Sequence, residues 1–391
     1  MNINLSYVLI TPYSIAKSRT GGILARLLSR TDLELVGAQI FTPDEAFVKE
    51  YAASLREREP LDQLNLIADY VEQNLGPSGG RRHRSLLLLF KGEEPCKKLI
   101  SICGHINIRQ FEADINSAET IRETYADLIY SKKNPGEVAY FEPGVLTARL
   151  QKDADSDLLR FVRFMEGQDN IVQNITYPDP SKIERTLVII KPDNWKYHSS
   201  KPGAIVEMFS RTGLRIVGTK VHRFSTEQAL NFYAPVEALL INKFVSNFGS
   251  DARDLLEKTF NFKLSEEAAK QFAERIGIER AKDEFAQIIE FMSGRRPNNC
   301  PPEEMNIPGN VKSMILVYEG ENAIQKIRAV LGPTDPDKAP DGTVRREFGS
   351  SVMINTAHAS DSKKSYEMEK DIVKINENTL SSIINDYLKL R

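Results

Sequence analysis

The chain has 391 residues, enough for about two or three domains that each bury a core. With 52 basic against 54 acidic residues, its formal net charge of −2 excludes a broadly basic surface for nucleic acid or an anionic membrane, though not a local pocket for a small anion. Charged residues at 27% and hydrophobic ones at 41% are ordinary for a soluble globular protein, and no stretch approaches the roughly 18 apolar residues of a membrane helix.

The start, "MNINLSYVLI", lacks the basic region and apolar core of a signal peptide. Cys96, Cys103 and Cys300 do not form a disulfide framework, so a reducing cytoplasm is expected. The first predicted strand is "YVLI" at Tyr7–Ile10, followed by Thr11. "GGILARLLSRTDLELVGAQIF" (Gly21–Phe41) reads as a helix with apolar residues at three- and four-residue spacing, then an alternating strand. "SLLLLFKGEEPCKKLISICG" (Ser85–Gly104) reads as a strand and a helix, on which Cys96 and Cys103 share a core-facing side. "ETIRETY" (Glu119–Tyr125) and a helical tail, "DSDLLRFVRFME" (Asp155–Glu166), complete the first half. "VQNITYPDPSK" (Val172–Lys182), with two prolines and polar residues, reads as a linker.

The second half writes the same elements again. "TLVIIKPD" (Thr186–Asp193) answers "YVLITPY", and "PGAIVEMFSRTGLRIVGTKVHRF" (Pro202–Phe224) answers Gly21–Phe41. Tyr233 answers Tyr51, "SMILVYEGENAIQKIRAVLG" (Ser313–Gly332) answers Ser85–Gly104, and "GTVRREF" (Gly342–Phe348) answers Glu119–Tyr125. Matches in the same order predict a duplicated α+β chain. Its two tandem ferredoxin-like domains each hold a mixed, mostly antiparallel sheet with helices. The expected divisions are a domain over 1–170, a linker over 171–183 and a second domain over 184–391.

Two stretches of the second half have no partner, at about 237–283 and 294–310. The first is helical in pattern: Ser250 is placed to cap "DARDLLEKTF", and Ser265 to cap "EEAAKQFAERI", which Gly277 would end. A short helical lid over 242–282 is expected from it. The second, rich in Pro and Asn, reads as a long surface loop.

Of five histidines only His358, in "NTAHASDS" (Asn355–Ser362), has suggestive neighbours. A small residue, hydroxyls, an amide and an acid can orient one ring nitrogen while the other attacks. Glu369, on the helix that follows, can return to the same imidazole. The competing reading is a helix start, with Ser360 or Asp361 as its cap and His358 merely nearby.

Basic residues separate the readings. Lys191 ends a predicted buried strand, where an ammonium is costly unless it faces a site. Arg328, Arg345 and Thr334 add charge-assisted donors suited to a polyphosphate. The first half keeps Arg122 for Arg345. It has Thr11 for Lys191, Ile100 for Arg328, Ile106 for Thr334, and Pro135 at the count where His358 would fall. Joint loss marks these residues as one site, kept in the second half only.

"ERTLVIIKPD", "GENAIQKIRAVLGPTDP", "DGTVRREFG" and "NTAHASDS" resemble nucleoside diphosphate kinases, over about 184–236 and 284–375 and more weakly over the first half. The resemblance implies Mg²⁺-dependent transfer of the terminal phosphate of a nucleoside triphosphate to a diphosphate through a phosphohistidine. His358 would be the nucleophile, with Glu369 and Ser360 orienting it. Lys191, Tyr233, Arg328, Thr334 and Arg345 would hold the phosphates, Asn355 and Lys191 the sugar hydroxyls, and Val352 one wall of the base slot. The opposite, aromatic wall falls near Glu284, so Phe285 or an insert residue is expected there.

Expected partners are nucleoside di- and triphosphates, not nucleic acid or membrane. Because the family assembles through dimers, a homo-oligomer or an intrachain pseudo-dimer is expected. The magnesium would arrive on the nucleotide's phosphates, with no metal site of the protein's own. Two other classes stand beside the kinase: a nucleotide-binding sensor or scaffold, and a phosphohistidine donor to a protein.

Overall fold

The structure, a computed structural model, describes residues 3–58, 61–104, 119–134 and 138–390. Ile106 and Pro135 of the comparison above lie outside the described residues. The chain forms two compact units. One holds Met1–Val221, Met314–Lys370 and Lys374–Arg391, and the other His222–Ser313 with Asp371–Val373. This division does not coincide with the expected one: both repeats contribute to the first unit.

In the first repeat β1 (Ile3–Ile10) leads into α1 (Pro12–Ala16) and α2 (Thr20–Ser29), then β2 (Glu34–Phe41). Two helices follow, α3 (Glu45–Arg56) and α4 (Leu61–Asn74), before β3 (Ser85–Glu93) and α5 (Pro95–Cys103). The repeat ends with α6 (Ile121–Tyr125), β4 (Asp127–Tyr130), β5 (Val138–Glu142), β6 (Val145–Leu146) and α7 (Gln151–Met165). The second repeat starts with β7 (Ile183–Ile190), α8 (Lys201–Ser210) and β8 (Arg215–His222). It continues through α9 (Thr226–Phe260), α10 (Glu266–Ser293), β9 (Ser313–Glu321), α11 (Ala323–Leu331) and α12 (Val344–Phe348). It closes with β10 (Ala357–Ala359), α13 (Lys363–Ile372) and α14 (Thr379–Lys389).

The two sheets have the same order, β2-β3-β1-β6 and β8-β9-β7-β10. Registers repeat too: Ile3 pairs with Glu93 as Ile183 pairs with Glu321, all antiparallel. Leu86–Phe90 are wholly buried, which is why β3 reads as a continuous apolar run and not as alternation. Cys96 and Cys103 are buried on α5, as their spacing suggests.

Register also corrects the count at His358. His358 on β10 faces Ile189 of β7, and the residue placed likewise in the first repeat is Leu146, opposite Leu9. The β4–β5 hairpin, which the second repeat lacks, displaces β6 along the chain, so counting from Arg122 to Pro135 stops short.

The repeats meet along α2 and α8. Both helices carry a glycine where the approach is closest: a Cβ on Gly203 would lie 2.1 Å from the Ala25 nitrogen, and one on Gly21 2.4 Å from the Glu207 nitrogen. The last helix, α14, packs on α7 and β2 of the first repeat, with Leu380 and Ile384 in that repeat's core. The linker is pinned and not loose: Val172 N donates to the Val217 carbonyl (2.9 Å), and Asn170 Nδ2 to Thr219 (2.9 Å) and Ile375 (2.8 Å).

In the other unit, α9 and α10 pair side by side. They correspond to α3 and α4, which pair likewise, so the 237–283 insertion lengthens an existing helical pair. Ser225 and Gln228 form a capping box at the start of α9, and Ser265 caps α10 through the Ala268 nitrogen. Ser250 lies inside α9 and not at a helix start. Gly277 lies inside α10 and does not end it: a Cβ there would sit 3.0 Å from the Phe244 carbonyl oxygen, so glycine serves the close approach of α9. Phe285 is buried on α10, and Glu284 pairs with Arg280 at 2.7 Å. The 294–310 stretch holds two short 3-10 turns, Pro297–Asn299 and Pro302–Glu304.

Candidate active site

His358 is the middle residue of a three-residue edge strand, and α13 follows within a few residues. That short return brings Glu369 over the ring: its Oε1 accepts from His358 Nε2 at 2.8 Å. Ser360 Oγ donates to Oε2 of the same carboxylate at 2.7 Å. Glu369 is an acceptor at both oxygens, so the imidazole proton sits on Nε2 and the lone pair on Nδ1. Ser360 is fully buried and Glu369 nearly so, while His358 keeps partial exposure.

At the end of the neighbouring strand, Lys191 Nζ donates to Asn355 Oδ1 at 2.7 Å. The Asn355 amide nitrogen donates to the carbonyls of Thr334 (3.2 Å) and Val352 (2.8 Å). The backbone between Asn355 and His358 is sharply turned. Thr356 has φ of 73°, rare for a β-branched residue, and Ala357 N bonds the Asn355 carbonyl across it at 2.7 Å. Strain of this kind is worth about 1–3 kcal/mol and persists where its surroundings impose it. Asn194 Nδ2 supplies that restraint, donating to the Thr356 carbonyl (2.8 Å) and the Lys191 carbonyl (2.9 Å).

Two cations, Lys191 and Arg345, are buried close enough to repel each other. Burial, and then the charge of Arg345, push Lys191 down to about 7, against the pull of Asp193. Arg345 is buried and donates to the carbonyls of Gly332 and Ala357, each at 3.0 Å. Arg328 is exposed on α11. Asp361 is held below its ordinary value first by the Ser365 hydroxyl, and Arg328 also lowers it, which puts that guanidinium near it.

Lys191, Asn355, Thr334 and Val352 are therefore joined by hydrogen bonds, as are His358, Glu369 and Ser360. Arg345 bonds the residue next to the histidine. Thr334 is exposed, and Val352 is 51% exposed. Tyr233 lies on α9 of the other unit, buried against Phe232. Asp193 and Thr356 stand inside the two motifs that carry Lys191 and His358, and Asn194 one residue past the first, yet nothing in the sequence singled them out. Asp193, half-buried, lies beside Lys201 at 3.3 Å and accepts from Thr356 Oγ1 at 3.4 Å.

In the first repeat the same position is closed by the chain itself. Thr11 Oγ1 donates to Glu142 Oε1 at 2.8 Å, and the Gly144 nitrogen donates to the same oxygen at 2.8 Å. Tyr70 of α4 is buried next to Glu142, and burial followed by that carboxylate pushes its phenol well up. Leu146 replaces the histidine and joins the core. Asp157, placed on α7 as Glu369 is on α13, is tied to Tyr7 (2.7 Å) and Arg58 (2.6 Å). Arg122 repeats the bonds of Arg345, to the carbonyls of Gly104 and of Val145.

Comparison with known proteins agrees with this geometry. A family model described as nucleoside diphosphate kinase matches residues 184–244 and 236–377, both in the second repeat. The nucleoside diphosphate kinase of Halorhodospira halophila is 30% identical over 187 residues, 48% of this chain and 89% of that protein. That of Hyperthermus butylicus is 29% identical over 187 residues, with 48% and 89% covered. A solved nucleoside diphosphate kinase from Aquifex aeolicus is 26% identical and covers 49% of this chain and 94% of its own, at a TM-score of 0.31. That score is too low to bear on the fold, which rests on the strand order and registers above. A strand-end lysine, a histidine held by a buried carboxylate and a relative matched over nearly its whole length lead to one assignment: the chain belongs to the nucleoside diphosphate kinase family.

Proposed function

We propose that the chain is a nucleoside diphosphate kinase, which moves the γ-phosphate of a nucleoside triphosphate to a nucleoside diphosphate by way of phosphorylated His358. The observation that carries this reading is the continuous bonding from Ser360 through Glu369 to His358 Nε2. It leaves Nδ1 as the nucleophilic nitrogen and lets the carboxylate stabilise the cationic ring that forms on phosphorylation.

In the first half-reaction Nδ1 forms a bond to the γ-phosphorus while the bond to the bridging oxygen breaks, and the diphosphate leaves with the electron pair. In the second, a terminal oxygen of another diphosphate attacks the phosphohistidine and Nδ1 leaves. Charge spreads over the phosphoryl oxygens in both, so positioned cations do most of the work. Lys191, Arg328 and Arg345 fill that role here, and Thr334 adds a hydroxyl. Asn355 and Lys191, already bonded to each other, take the sugar hydroxyls. Val352, exposed, is one wall for the base. Contacts to sugar and phosphate do not distinguish bases, which suits an enzyme that serves all of them.

Mg²⁺ supplies charge neutralisation on the phosphates when bound. Among the described residues no group of three or more His, Cys, Asp or Glu is arranged to hold a metal. Glu369 is engaged by His358 and Ser360, and Asp193 by Lys201. On this reading the ion rides on the nucleotide's phosphates.

Incubation with Mg·ATP is expected to place one acid-labile, base-stable phosphoryl group on the chain, discharged by a non-adenine diphosphate. His358→Asn should abolish both label and transfer. Glu369→Ala should slow them by about 10²–10⁴-fold, the range for groups that orient or move a proton. EDTA should stop the labelling. A nucleotide sensor would give no label, and a phosphohistidine donor to proteins would give a label that no diphosphate discharges. Wild-type transfer by His358→Asn would overturn the kinase reading.

A further inference from the structure

Away from the histidine, a cavity of about 480 Å³ opens beside the turn that precedes β3. The turn is built to one shape. Gly79 and Gly80 take φ of 56° and 74°, and Ser78 and Arg81 exchange backbone hydrogen bonds at 2.9 and 3.0 Å across them. Two successive left-handed residues are what such a two-residue turn requires, and glycine supplies them without strain.

The segment that follows, Arg81-Arg82-His83-Arg84, is pinned along the cavity wall. Asn174 Nδ2 donates to the Arg82 carbonyl at 2.9 Å, Ser78 Oγ meets His83 Nε2 at 2.7 Å, and Arg84 Nη1 donates to the Ile216 carbonyl at 2.7 Å. Arg215 joins from the start of β8, its guanidinium 5.3 Å from the centre of the Tyr177 ring. Four arginines therefore border one cavity. Among the described residues none of them is in a salt bridge, and no aspartate or glutamate lines the space.

Like charges gather on this wall, offset at Arg84 only in part by Tyr177 and Glu319. Burial, and next the charge of Arg215, push Arg84 down to about 10, although it stays protonated at neutral pH. Guanidinium forks match phosphate oxygens two at a time, and four of them exceed what one carboxylate or one phosphate can satisfy. The volume suits a small ligand and not a duplex or a folded partner.

We propose that this cavity is a second anion site, distinct from the histidine pocket, which takes a chain of two or three phosphates, whether inorganic or carried on a nucleotide. Recognition is of the phosphates, by Arg81, Arg82, Arg84 and Arg215.

Titration calorimetry on the full chain tests it, with inorganic tripolyphosphate and ATP as separate probes. For at least one probe, a binding event is expected that weakens with added salt. Arg81→Gln/Arg82→Gln, both exposed and so harmless to folding, should weaken that event at least tenfold, with phosphorylation of His358 unchanged. Arg84→Gln should weaken it further. Loss for both probes supports the site with the inorganic chain as sufficient ligand; loss for ATP alone supports it with a nucleotide as the source. Binding of both probes that is unchanged in the double variant overturns the proposal. So does arginine-dependent binding of a short RNA or an anionic vesicle with none of tripolyphosphate or ATP.

Discussion

With 8% of its surface exposed, Lys191 keeps its ammonium where water cannot solvate it well. Its folded-state value is lowered from 10.5 to about 7. Below pH 7 both folded and unfolded chains hold the proton, and the fold bears the full cost of the buried charge. Between about pH 7 and 10.5 the unfolded chain holds more protons, so wild-type stability rises with pH, and above that range the cost is gone. Lys191→Met should therefore be more stable than wild type at pH 6, by about 1–3 kcal/mol, with the gap closing by pH 10. Urea unfolding at the two pH values checks it; an equal gap at both would show that the lysine is not depressed. The same variant should lose transfer, since the depressed ammonium is the one a phosphate would recharge. Arg345 differs. Arg122 makes the same carbonyl bonds in a repeat that has Leu146 in the place of His358, so those bonds belong to the fold. Persistence of an arginine in both halves is therefore weak evidence of catalysis, whereas loss of Lys191's counterpart to Thr11 is strong evidence.

Helices α2 and α8 approach closely enough that their backbones nearly touch. A side chain at Gly203 would meet the backbone of Ala25, which has no rotamer to yield. Gly203→Val should destabilise the chain by about 1–3 kcal/mol or more, as overpacking of a filled contact does. Chemical denaturation measures it, and an unchanged midpoint would mean that the helices slide apart freely. The α9–α10 pair shows the same device at Gly277. Its length requires no new element: α9 and α10 stand where α3 and α4 stand in the first repeat, and a capped helix extends by one hydrogen bond per residue without a new nucleus.

On the scale of the molecule, α14 of the second repeat enters the first repeat's core, and among the described residues only the second repeat brings a lysine, an asparagine and a histidine to the end of its first strand. Thr11, Glu142, Tyr70 and Leu146 fill the place in the first repeat that Lys191, Asn355 and His358 hold in the second. A nucleoside diphosphate should therefore bind at one histidine pocket per chain; calorimetry on Arg81→Gln/Arg82→Gln, which removes the cavity of arginines, counts it, and two equivalent sites would refute this. The second repeat also depends on the first. Cut off at 184, it would expose the face of α8 that meets α2, and Leu380 and Ile384 of α14, which lie in the first repeat's core. The isolated piece 184–391 is expected to self-associate, seen by sedimentation above monomer mass. A monomer as stable as the whole chain would show that the repeats are independent.

Patterns written over short distances were enough for much of this protein. Apolar periodicity placed the strands and most helices, and the word-for-word repetition of "SRT" and of the strand–helix order displayed the duplication. His358, Glu369 and Ser360 could be joined because a strand end and the next helix are close in sequence. Lys191 could be added because an ammonium ending a buried strand needs an anion. Tertiary structure decided what depends on contacts between distant residues. Leu146, not the residue at Pro135's count, stands where His358 does, because hydrogen-bond register and not chain length sets that position. Gly277 looks like a helix end until the neighbouring backbone of α9 is in place. Closure of the first pocket by Tyr70, and the burial of α14 in the other repeat's core, are equally invisible in any local window, since burial energy is shared among elements far apart along the chain.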